Sequence, residues 1–193
     1  MVVFACFADR FAFVKEATTS RSHSVKTGRG FTLVAAHTAM FRSGQFVADQ
    51  LDDPSNAQIQ PNGVDLTLDG VFEQISPGRI GVDGKTVGER RKLDPTDGTY
   101  RLESGGYVVR YGDRIRIPDG HVGFLYPRSS LLRNSCMLDT AVWDAGYEGR
   151  GEGLLEVFHG VELERGARIA QLVLARAAHE DRYDGTYQHE NVR

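Results

Sequence analysis

The sequence predicts an all-β barrel or sandwich preceded by one short helix, and three observations carry the prediction. From residue 59 onward apolar and polar residues alternate in short runs, as in "VDLTLDGVFEQI" and "GARIAQLVLAR". Gly, Pro and Asp interrupt these runs about every ten residues, the spacing of turns between short strands. A convincing 3.6-residue period shows only near residue 46, where Phe46, Val47 and Leu51 share one face.

Taken in order, residues 1–39 show no sustained period, and "TTSRSHSVKTGRG" is a solvated Ser/Thr/Gly-rich stretch. They are expected to form an extension outside a single domain spanning 40–193, with Met40 as a possible native start. In "MFRSGQFVADQLDDP", Ser43 is placed to cap a short helix and Asp52-Asp53-Pro54 to stop it. Strands are expected within 64–75, 99–127 and 153–176. Residues 75–99 are the longest weakly patterned segment and predict a long loop or irregular hairpin.

At 193 residues and 40% apolar composition the chain suffices for one good core. No apolar run approaches the roughly 18 residues of a membrane span. The start "MVVFACFADRFAF" lacks the basic opening and cleavage site of a secretory signal, so a cytoplasmic protein is expected. Cys6 and Cys136 are too few for a disulfide scaffold or a four-cysteine zinc site and read as inert thiols. Residues 1–39 hold five cationic and two acidic side chains, whereas the remainder has sixteen arginines, only Lys85 and Lys92, and 24 acids. Such an acidic body without a basic stripe argues against nucleic acid as partner. The balance is compatible with a high-salt cytoplasm.

The chemistry-bearing residues concentrate in "YPRSSLLRNSCMLDTAVWDAGYEGRGEGLLEVF". Arg128, Ser129 and Ser130 follow an apolar strand that ends at a proline. Two hydroxyls, freed backbone N–H groups and a guanidinium there match the acceptor oxygens of a phosphate. Alone, the tripeptide reads more often as a capped turn with a surface arginine. Asp144 follows an apolar run and precedes a glycine-tyrosine turn, where a carboxylate could orient a water. Asp65 in "PNGVDLTL" and Gln171 in "GARIAQLV" are polar residues inside apolar strands, each of which needs partners.

Together and in this order the segments resemble the dUTPase and dCTP deaminase superfamily, over residues 40 to about 188. "PNGVDLTL", "PRSSLLR", "AVWDAGYEG" and "GARIAQLV" are similar to its first four motifs, and "DRYDGTYQ" to the start of its C-terminal one. The resemblance implies a distorted jelly-roll barrel and a homotrimer. It also implies roles. Asp144 would orient the attacking water and Tyr147 would pack on the deoxyribose, leaving no room for a 2′-hydroxyl. Arg128, Ser129, Ser130 and Gln171 would lie at the phosphates, and Tyr183, Tyr187 and Gln188 would contact substrate. Asp65 would stand near Mg²⁺, acting through its waters.

Between the superfamily's two chemistries the residues divide. Arg133 and Glu156 fall where the deaminases keep an arginine and a catalytic glutamate; Glu156 reads equally as a strand residue paired with Arg133 or another arginine. The run Asp144-Ala145-Gly146-Tyr147 is the diphosphatase version, and Thr186 stands where deaminases commonly place a lysine. No zinc-deaminase signature is present. The expectation is the archaeal dUTP diphosphatase branch: dUTP and water giving dUMP and diphosphate. A bifunctional enzyme that also deaminates dCTP, a plain dCTP deaminase, and a non-catalytic nucleotide-binding regulator are the alternatives.

Overall fold

The computed structural model describes residues 39–192. The expected extension, the boundary at 39 and Cys6 lie outside the described residues, apart from Ala39 itself.

Met40 opens the described body by pairing with the last strand: Arg176 N donates to Met40 O at 2.9 Å and Arg42 N to Leu174 O at 2.9 Å. Helix α1, Gly44–Ala48, follows, with Ser43 accepting a hydrogen bond from Phe46 N as its cap. The helix is shorter than the sequence implies, ending before Asp52. Leu51 instead makes an isolated antiparallel bridge to Ile115. Val47 and Leu51 are buried and Phe46 packs on the core, as the predicted face requires.

The strands are β1 Ile59–Gln60, β2 Gly63–Gln74, β3 Arg79–Gly81, β4 Gly84–Thr86, β5 Arg90–Lys92, β6 Thr99–Leu102, β7 Gly105–Tyr111, β8 Ile115–Arg116 and β9 His121–Pro127. After helix α2, Ser129–Arg133, come β10 Cys136–Asp139, β11 Glu148–Gly149, β12 Glu152–Val157, β13 Val161–Glu164 and β14 Arg168–Arg176. The principal sheet runs β10-β12-β7-β2-β14-β9, and an antiparallel bridge between Gly123 and Trp143 brings the chain after β10 back onto β9, nearly closing a barrel. The weakly patterned 75–99 segment is the irregular hairpin β3–β4 followed by β5, which pairs with the end of β2.

Alternation decides what fills the barrel. Val109 and Tyr111 of β7, Leu155 and Val157 of β12, Cys136 and Leu138 of β10 and Leu172 and Leu174 of β14 are buried together, while Glu152, Leu154 and Glu156 of β12 face outward. Within the principal sheet strand β2 has two neighbours: its first half pairs with β14 and its second with β7, with register shifts on both pairings. None of the helices among the described residues is long and apolar enough to cross a membrane.

Candidate active site

The third-motif segment leaves the barrel at the Gly123–Trp143 bridge and turns back over Ile117. Gly146 N donates to Ile117 O at 2.8 Å, Ile117 N donates to Tyr147 O at 2.9 Å, and Gly146 makes the turn at φ 88°. A ladder of aromatic rings ties this turn to the core. Tyr111 lies 6.2 Å from Trp143, Trp143 meets Tyr147 edge-on at 4.9 Å, and Tyr147 meets Tyr183 edge-on at 5.7 Å. Gly151 has to be glycine here, because a Cβ would sit 2.2 Å from the Trp143 ring.

This arrangement walls a cavity of about 440 Å³ that Asp144, Tyr147, Tyr183 and Tyr187 share with Trp143, Arg90, Glu152 and Glu190. The Asp144 side chain is exposed to it, whereas Tyr147 is buried. Glu152 is fixed by two guanidiniums, Arg90 Nη1 at 2.5 Å and Arg110 Nη2 at 3.2 Å. The Tyr147 hydroxyl donates to Glu190 Oε1 at 2.9 Å. Burial, then the neighbouring Glu190 charge, pushes the Tyr147 hydroxyl far above the usual phenol range, so it stays a donor. Burial also raises the Glu190 carboxyl; the Tyr147 hydrogen bond opposes that rise and the Glu152 charge adds to it. Lys85, from the β3–β4 hairpin, stands 4.4 Å over the Tyr187 ring.

Of the tail residues expected to touch substrate, Gln188 is already engaged. Its amide donates to Gly146 O at 2.9 Å and accepts from Glu148 N at 3.1 Å, so it braces the third-motif backbone.

The second-motif residues form a separate group. Pro127 ends β9, Arg128 N still pairs with Ile169 O at 3.0 Å, and Arg128 caps the start of α2 in extended conformation. Ser129 and Ser130 are exposed, and their hydroxyls make no hydrogen bond among the described residues. Arg128 Nε lies 3.0 Å and Arg168 Nη1 3.2 Å from Asp65 Oδ2, which Gln60 Nε2 also reaches at 3.2 Å. Asp65 is buried, and burial raises its carboxyl against the opposing pull of the two arginines. The carboxylate is turned to two cations and shielded from solvent. Among the described residues no group of three His, Cys, Asp or Glu side chains could hold a metal.

Gln171 stands in register between Asp65 on β2 and Tyr126 on β9; it is half-buried and its side chain covers Gly63. The amide makes no hydrogen bond among the described residues and, being half-buried, remains open to solvent. Glu156 lies opposite Met137 on β10, one strand residue from the end that α2 feeds. Neither Glu156 nor the exposed Arg133 forms an ion pair among the described residues, so the pairing that would have made Glu156 structural is absent there.

The residues expected at the active site thus fall into two separate groups, the half-sites of that expectation. Trp143 bridges β9 at Gly123, whereas Pro127 lies four residues on, roughly 13 Å along an extended strand, and Arg128 comes after it. Arg128, Ser129, Ser130, Arg133 and Glu156 belong to the α2 end, and Asp144, Tyr147, Tyr183 and Tyr187 to the other. Sequence reasoning missed Arg90, Glu152 and Glu190, which line the second half-site. Arg90 sits in the unpatterned segment and carries no local signal. Glu152 lies between glycines in "GRGEG" and carries no distinguishing local signal either.

Comparison with known proteins agrees with this architecture. The profile of the dCTP deaminase-like family matches residues 34–177. A probable deoxyuridine 5′-triphosphate nucleotidohydrolase of Halobacterium salinarum is 58% identical over 159 residues, covering 79% of this chain and 96% of that protein. Its counterpart in Aeropyrum pernix is 44% identical, covering 72% and 89%. A deoxyuridine 5′-triphosphate nucleotidohydrolase of Methanocaldococcus jannaschii is 38% identical, covering 71% and 91%. Among solved structures, the 2′-deoxycytidine 5′-triphosphate deaminase of Agrobacterium tumefaciens shares the fold with a TM-score of 0.54 at 21% identity, over 72% of this chain and 48% of that one. The fold, the ordered motifs and these relatives lead to one conclusion: the chain belongs to the dCTP deaminase-like family.

Proposed function

We propose that this protein is a deoxyuridine 5′-triphosphate nucleotidohydrolase that converts dUTP and water to dUMP and diphosphate. The observation that carries the reading is the pairing of an exposed Asp144 carboxylate with a buried, immobilised Tyr147 ring on one cavity. The names of relatives up to 58% identical support it.

In this reading Asp144 orients a water and accepts its proton as the water attacks the α-phosphorus. Tyr147 lies against the deoxyribose and excludes a 2′-hydroxyl. Arg128, Ser129 and Ser130 supply donors to the phosphates, where charge accumulates in the transition state. Magnesium enters as the counter-ion of the triphosphate, because the Asp65 cluster does not fit it. We further place the enzyme in the cytoplasm as a homotrimer. A single chain separates the water-orienting and phosphate-binding half-sites, and a neighbouring copy would bring the second to the first. The exposed apolar side chains Tyr126, Leu132 and Phe158 lie on or beside the segments flanking α2 and suit such an interface.

Glu156 keeps one other reading in view, since its unpaired carboxylate is at the position of the deaminases' glutamate: a bifunctional enzyme that also takes dCTP. Incubation with dUTP or dCTP, with diphosphate and ammonia followed separately, tests both. Diphosphate from dUTP alone is expected; ammonia from dCTP means deamination, and neither product with tight binding means a regulator. Asp144→Asn should lower diphosphate release by about 10²–10⁴-fold while retaining binding, and near-normal turnover would move the water to another residue.

A further inference from the structure

The family match ends at residue 177, yet the chain beyond it is built into the third-motif half-site. Tyr183 N donates to Ala145 O at 2.7 Å, His189 N to Glu148 O at 2.8 Å and Arg150 N to Glu190 O at 3.0 Å, while Asn191 Nδ2 reaches Arg150 O at 2.9 Å. Two glycines of "DAGYEG" make the approach possible. A Cβ on Gly146 would lie 2.9 Å from Arg182 Cβ, and one on Gly149 would lie 2.7 Å from the Tyr147 oxygen and 3.2 Å from Glu190 N. Glu190 is therefore held at its backbone by Arg150, and from that fixed point its carboxylate accepts the Tyr147 hydroxyl at 2.9 Å.

We propose that Glu190 is a positioning residue for sugar selection, fixing the Tyr147 ring so that it cannot yield to a 2′-hydroxyl. The inference rests on the dUTP reading and deepens it. Rejecting one hydroxyl by exclusion demands a wall that does not move, because a displacement of about 1 Å would admit the larger sugar. Trp143 and Tyr183 pack edge-on against the Tyr147 ring, and Glu190 supplies the directional restraint at its tip.

The test compares wild type with Glu190→Ala, Glu190→Gln, Tyr147→Phe and the Glu190→Ala/Tyr147→Phe double variant, using kcat/KM for dUTP and for UTP. Loss of the hydrogen bond in Glu190→Ala or in Tyr147→Phe should each shrink the dUTP preference about tenfold, and the double variant should lose no more than either. Glu190→Gln retains an acceptor and should stay within about threefold of wild type. A merely structural Glu190 would lower the melting temperature and leave the preference intact; that result, or additive losses in the double variant, overturns the proposal. If wild type turns over neither nucleotide, the dUTP reading fails by itself, and positioning is read instead from NMR of labelled tyrosine rings. Glu190→Ala should then shift the Tyr147 resonance and speed its ring flips while Glu190→Gln does not, and unchanged spectra in both overturn it.

Discussion

Arg128 Nε stands 3.0 Å from Asp65 Oδ2, joining the residue that caps α2 to the start of the long strand β2, with Arg168 closing on the same oxygen at 3.2 Å. One carboxylate thereby fixes the guanidinium that we propose binds phosphate.

Removing that carboxylate as Asp65→Ala should destabilise the fold by about 2 kcal/mol. This is below the range for fully buried pairs because both guanidiniums remain about a third exposed and rehydrate. Denaturant titration measures the loss. Chelator should leave the melting temperature of the nucleotide-free protein unchanged; a drop on chelation would return a metal to Asp65.

Glu156→Gln should leave dUTP turnover within about tenfold, since proton transfer by Glu156 is not on the hydrolytic path. The change should abolish any ammonia release from dCTP. Carboxylate and amide are nearly isosteric, so a larger fall in hydrolysis would mean that Glu156 orients substrate, and ammonia persisting in the variant would remove Glu156 from deamination.

The raised Glu190 carboxyl has a definite consequence for stability against pH. A carboxyl raised in the folded state favours folding when protonated, so its contribution is complete below the ordinary value of 4.5 and is lost as pH rises through the higher folded value. Glu190→Gln mimics the protonated form and lacks this loss. Melting curves of wild type and variant should therefore diverge in the variant's favour as pH rises above the ordinary value of 4.5, and parallel curves would contradict the upward shift.

A chain beginning at Met40 should keep the melting temperature and assembly of the full chain, because Met40 O and Arg42 N are the first groups bonded to β14 in the described body. Beginning at Gly44 should cost about 2 kcal/mol, through the Ser43 cap and those two hydrogen bonds. A large loss already at Met40 would give residues 1–39 a structural role.

Local signals sufficed for the capped helix and the long strands β2, β7, β9, β12 and β14, but not for the edge strand β10, which lies outside the expected strand ranges, or for the second helix, α2. Alternation is a property of neighbouring positions, Ser43 meets its partner three residues on, and Pro127 by itself ends a strand. Those signals say which face a side chain occupies but not what it faces. Asp65 finds Arg128 and Arg168 only through the paired registers of β2, β14 and β9, with a shift between Arg168 and Ala170 that no local pattern announces. Likewise Arg90, Glu152 and Glu190 come to Tyr147 from three distant segments, two of them without a periodic signature. Tertiary structure alone decided that Asp65 serves arginines, that Gln188 serves backbone, and that the residues expected at the active site fall into two separate groups, because those outcomes depend on which strands lie side by side, and long-range packing sets that order.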